Sequence, residues 1–156
     1  MADEKSAVGV VLAAGAAGGM AEVVWIAAVA PLLGVDGGTI LRAVSATVVP
    51  SLAASSLAPG IGLLIHFSLS IALAAGFVRA LGHQVRATTI FLAALGVLAA
   101  VWAFNFLLLL PRIDPAFVSL LPHPVTLISK LLFAIAMASV LARRVSMQTF
   151  SEHQHA

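Results

Sequence analysis

Apolar residues run along this chain in four long stretches, separated by segments where glycine, proline and charged residues gather. The stretches cover residues 7–33, 59–80, 87–110 and 125–142. Each can cross a hydrocarbon core of about 30 Å, which takes about 20 helical residues. The pattern predicts an all-α polytopic membrane protein with four transmembrane helices in two antiparallel hairpins. Only Leu81-Gly82-His83-Gln84-Val85-Arg86 separates the second and third spans, so these two should form a tight hairpin. Residues 1–156 read as a single transmembrane domain, with 145–156 as a solvated C-terminal tail.

The loops between spans carry their own signals. Asp36-Gly37-Gly38-Thr39 has the form of a helix start, and Ile40, Leu41, Val44 and Val48 recur at helical spacing before Pro50. A short helix lying at the membrane interface is expected in this first outer loop. In the second outer loop, Asp114-Pro115 pairs an N-cap residue with proline at the first helical position, which predicts a short turn through Leu121. Pro122 and Pro124 then lead into the last span.

Composition agrees with the pattern. The chain is 62% hydrophobic and 9% charged, with a mean hydropathy of +1.13, whereas soluble domains carry about 25% charge. Its natural solvent is the lipid bilayer. The pI near 10.0 accompanies a net charge of only +2, and the bases do not gather with aromatics, so nucleic acid is not an expected partner. They follow membrane orientation instead. Lys5, Arg79, Arg86, Arg143 and Arg144 fall on the side of the termini, while Arg42 and Arg112 fall on the other, near Asp36 and Asp114. Cytoplasmic N- and C-termini in a bacterial inner membrane follow from that bias. Cysteine is absent, which excludes disulfides, iron–sulfur clusters and thiolate chemistry.

Against this apolar background four polar residues stand out, one in each span: Glu22, His66, Asn105 and Lys130. At about 1.5 Å of rise per residue, all four lie roughly 8–9 Å below the outer surface of the hydrocarbon core. Each shares a helix face with small residues. Glu22 lies with Gly15, Gly18 and Gly19, the first and last forming a G-x-x-x-G pattern that permits close helix approach. His66 lies with Gly62, Ser70 and Ala74, and Lys130 with Thr126, Ala134 and Ala138. An isolated charge near a helix centre costs about 2.5–3.5 kcal/mol on insertion scales. Glu22 and Lys130 are therefore expected to pair, with His66 and Asn105 completing a buried polar cluster. Trp25, Trp102 and Ser70 are candidates for the wall of a pocket beside it.

Known chemistries find few of their parts. A haem would have to use His66 with His123 at the outer end of the last span. No cofactor and no metal site is expected, since Glu22 and His66 would need Asn105 or a cation-repelling lysine as a third ligand. Ser68 and Ser70 near His66 read as packing hydroxyls, because no third group is placed to orient the imidazole. The chain is not expected to be an enzyme.

Two resemblances bear on function. Gly18-Gly19-Met20-Ala21-Glu22-Val23 resembles the first-span segment of small multidrug resistance transporters, in which a membrane-embedded glutamate alternates between protons and a cationic substrate. Those proteins lack the long outer loop, His66 and Lys130 of this chain. Over most of its length the sequence resembles short, uncharacterised bacterial four-helix inner-membrane proteins, some of which carry the label sodium:proline symporter. The residues responsible are Ile65-His66-Phe67-Ser68-Leu69-Ser70, Asn105-Phe106 before Pro111, and Lys130-Leu131-Leu132-Phe133. The broken helices of true symporters have no counterpart here. The leading expectation is a non-enzymatic protein acting as a homo-oligomer or as an accessory subunit beside other membrane subunits. The alternatives are a small proton- or ion-coupled transporter or channel using the Glu/His/Lys site, and a haem- or quinone-binding anchor.

Overall fold

Every long apolar stretch forms a helix. The computed structural model describes residues 2–81 and 85–154, with side chains over 7–81 and 85–144. Helix α1 (Ala2–Val29) ends in a 3₁₀ turn at Ala30–Leu33, where Pro31 cannot extend the ladder and Gly34 takes a left-handed φ of 74°. Helix α2 (Gly37–Val48) begins where the sequence signals it, with Asp36 accepting from the Thr39 N–H at 2.9 Å. Helices α3 (Ala58–Leu81) and α4 (Ala87–Ala103) follow, then a π-helical segment (Phe104–Leu109) and the short α5 (Leu110–Ile113) and α6 (Pro115–Ser119). Asp114 caps α6 by accepting from the Phe117 N–H at 3.0 Å. Helix α7 (His123–Gln154) continues well past the expected end of its span at Ala142, so the backbone of the tail is helical through Gln154.

Four helical segments are long and apolar enough to cross a membrane: Ala7–Leu33, Ala58–Leu81, Ala87–Ile113 and His123–Arg144. Among the described residues there is no strand. This is a multi-pass, all-helical architecture. The third span runs a few residues beyond the expected 110 because the π segment and α5 continue it.

Packing does not simply follow chain order. Helix α1 lies between α7 and α3, and α4 rests on the far side of α7, giving the sequence α3, α1, α7, α4 across the bundle. Although the shortest loop joins them, α3 and α4 are not among the closely packed pairs. Small residues decide the close contacts. A Cβ added to Gly15 would sit 2.6 Å from the Ile71 Cα, and one on Gly18 would meet the Phe133 ring at 2.8 Å. Gly19 faces Ser70 and Phe67, and Gly62 lies directly against the Leu41 carbonyl, which seats α2 on α3.

Two separate apolar cores result. The larger gathers Ala14, Phe77, Ile90, Leu98, Phe133, Met137 and their neighbours from all four spans. The smaller joins Ala30, Ile40 and Leu121 at the opposite end, where α2 and the α6 region close over α1. Between them lie the polar residues of the spans.

A candidate binding cavity between the two cores

Glu22 is the most buried charged side chain in the site, at 6% exposure, and Lys130 reaches it from α7. The Lys130 Nζ lies 2.8 Å from Glu22 Oε1 and donates to Oε2 at 2.9 Å, so the ammonium bridges both carboxylate oxygens. The Ser129 hydroxyl sits 3.2 Å from Oε1 and 2.9 Å from the Thr126 carbonyl. Lys130 keeps 19% exposure and stands 5.6 Å from the Phe133 ring centroid, a cation–π distance. Two opposite charges held this way offset part of the desolvation penalty that either would meet alone.

His66 approaches from α3. Its Nε2 lies 3.1 Å from the Gly19 carbonyl, so the Nε2–H donates to the α1 backbone. The close approach that Gly19 allows is what brings the ring to that oxygen. Ser70 is buried, donates to the His66 carbonyl of its own helix at 2.8 Å, and packs against Gly19, which makes it part of the α1–α3 seam.

Asn105 belongs to the π segment. Pro111 has no N–H, and its ring would strike the carbonyl four residues back, so the turn before it widens. The Leu110 N–H accordingly reaches the Asn105 carbonyl, five residues away, and the Arg112 guanidinium takes up the Leu108 carbonyl. Widening this turn turns Asn105 and Phe106 toward the other spans.

All four polar residues line one cavity of about 330 Å³. Val23 and Ile26 of α1, Ile65 and Leu69 of α3, and Phe106 form apolar walls, while Thr126 and Ser129 add hydroxyls near the ion pair. Helix α2 borders it with Ile40, Leu41, Val44 and Val48, and Phe117, Leu120 and Leu121 line it beside them, leaving it partly open. The Thr47 hydroxyl donates to Asp114 Oδ2 at 2.7 Å, tying the last turn of α2 to the cap of α6. The volume falls at the small end of the roughly 300–1,000 Å³ typical of ligand sites, which are mostly apolar with a few placed polar groups.

Comparison with family models, curated proteins and solved structures finds no match.

Neither tryptophan lines this cavity. Trp25 donates from Nε1 to the Val125 carbonyl at 3.0 Å, pinning α1 to the first turn of α7, and its ring borders a shallow outer groove with Leu132 and Ile135. Trp102 donates to Thr126 Oγ1 at 2.9 Å and stacks on Phe106 at 6.2 Å, supporting that wall from behind. His123 packs edge-on against Trp102 at 6.0 Å and is not part of the cavity lining, whereas His66 is. Ser129, Phe106 and the bordering face of α2 are the parts that sequence reading missed. Their signals were modest: a hydroxyl next to Lys130, and Pro111 six residues after Asn105.

Proposed function

We propose that this chain is a multi-pass protein of the bacterial inner membrane that binds and carries a small molecule in the partly open cavity between its helices. One observation supports the reading above others: the polar residues of four different spans open on a single apolar-walled space bordered by α2. A cluster that only set helix register would need no apolar-walled recess beside its polar groups, and this one lines a recess large enough for a small ligand. In this reading α2 lies at the outer interface, the hairpins pair the first span with the second and the third with the fourth, and both termini are cytoplasmic. The protein is a transporter and not an enzyme.

The test uses protein in nanodiscs with three eight-carbon probes: octanesulfonate, octylamine and octanol. At least one should raise the melting temperature of wild type but not of Val44→Trp, which fills the cavity from α2. If all three leave wild type unchanged relative to protein-free discs as a partition control, the ligand-site reading is wrong.

A second reading, assembly as a homo-oligomer or accessory subunit, draws support from α4. Its span is the least buried of the four, and Leu92 on it is 72% exposed. Bifunctional cross-linking through Leu92→Cys in native membranes should yield a dimer-sized or larger product; only monomer would oppose it.

A further inference from the structure

Resting on the ligand-site reading, we infer that the cavity takes a small amphiphilic anion, a carboxylate or sulfonate head on a short apolar body, together with one proton that goes onto Glu22.

Glu22 is buried and already receives Lys130 at both oxygens, with Ser129 beside it. Lys130 is the more exposed partner, and an ammonium has three donors and no acceptor. Asn105 lines the cavity, and its side-chain amide makes no hydrogen bond among the described residues. His66 uses Nε2 on Gly19, and Thr126 Oγ1 is occupied by Trp102 and the His123 carbonyl. A ligand entering this space meets the Lys130 ammonium and the Asn105 amide, which can donate or accept, with His66 Nδ1 as a further acceptor; the positive charge of the ammonium is what suits an anionic head. The apolar lining from Leu41, Val44 and Phe117 suits its body.

Charge balance then brings in the proton. The Glu22–Lys130 pair is neutral as a unit, and an added anion would leave two acids sharing one ammonium in a low-dielectric space. Protonating Glu22 restores neutrality and releases Lys130 to the ligand. The site has a place for that proton. Ser129 can keep donating to the Thr126 carbonyl while its oxygen accepts from a Glu22 O–H at the 3.2 Å separation already present. The titratable side chains lining the cavity with Glu22 are Lys130 from α7 and His66 from α3. Lys130 supplies the counter-charge, and His66 is the competing proton acceptor.

Octanesulfonate decides the matter because its own head stays ionised throughout, so any proton taken up belongs to the protein. In nanodiscs its affinity for wild type should fall about tenfold per pH unit over the range in which Glu22 is ionised in the free protein, the slope of one linked proton. Glu22→Gln, which imitates the neutral acid, should bind at least as tightly at low pH and lose the pH dependence. Lys130→Met should lose binding at least tenfold. The double variant Glu22→Gln/Lys130→Met leaves no unpaired charge to unfold the bundle, and it should stay folded and fail to bind. Tighter binding of octylamine than of octanesulfonate would overturn the anion assignment. A pH-independent wild type, or a slope that survives in Glu22→Gln and vanishes in His66→Gln, would overturn the proton assignment. Failure of all three eight-carbon probes would instead remove the ligand-site reading itself.

Discussion

At the scale of single residues, the Glu22–Lys130 pair governs the site, because each makes the other tolerable in an apolar setting. Lys130→Met strands a buried carboxylate, and breaking a buried pair this way costs about 3–5 kcal/mol. Partial exposure of the ammonium to the cavity places the expected loss at the lower end. Glu22→Gln is milder, since an amide can still accept from Lys130. Removing both charges should be less harmful than the sum of the two single changes, with a coupling of about 1–3 kcal/mol. Unfolding titrations of the four proteins in one detergent measure this, and strict additivity would show the pair to be energetically idle. The acid, imidazole, amide and amine were legible in the sequence as one depth-matched set, because a bilayer penalises polar groups and so makes them conspicuous. Ser129 was not, since a serine in a span is inexpensive to bury through its own backbone carbonyl.

Elements meet here through missing side chains. Gly15 allows α1 to lie against the backbone of α3, where an added Cβ would fall 2.6 Å from the Ile71 Cα. Gly76, on the same α3, has nothing within 4 Å of such an atom. Gly15→Ala should therefore destabilise by about 1–3 kcal/mol through overpacking, whereas Gly76→Ala should be neutral or stabilising by about 0.5–1 kcal/mol. Equal effects in a thermal melt would mean that α1 and α3 are not held by close approach. The helix starts at Asp36 and Asp114 were readable because capping is local chemistry. The π segment could not be placed from Pro111 alone, because a proline in a span can be absorbed by a kink, a break or a widened turn.

The whole molecule sets its polar cluster between two apolar cores, and that position creates the cavity. Since the chain has no cysteine, single cysteines report directly on its orientation. With cytoplasmic termini, Thr39→Cys should react with an impermeant maleimide on intact cells and Arg144→Cys only after lysis; the reverse pattern would invert the topology. Hydropathy by itself determined the four spans, and with them the helical fold, because a continuous apolar stretch of about 20 residues satisfies its backbone in lipid as a helix. Counting residues along a helix of known rise put the four polar groups at one level, and they line one cavity. What only the tertiary structure decided is lateral: that α1 is central, that α3 and α4 stand apart despite their short loop, and that α2 and the α6 region border the gap. Apolar residues facing lipid and apolar residues facing a neighbouring helix look alike in sequence, since lipid tails are as hydrophobic as leucine. Which face goes where is settled by the fit of small residues against particular partners, and that fit exists only once the helices are assembled.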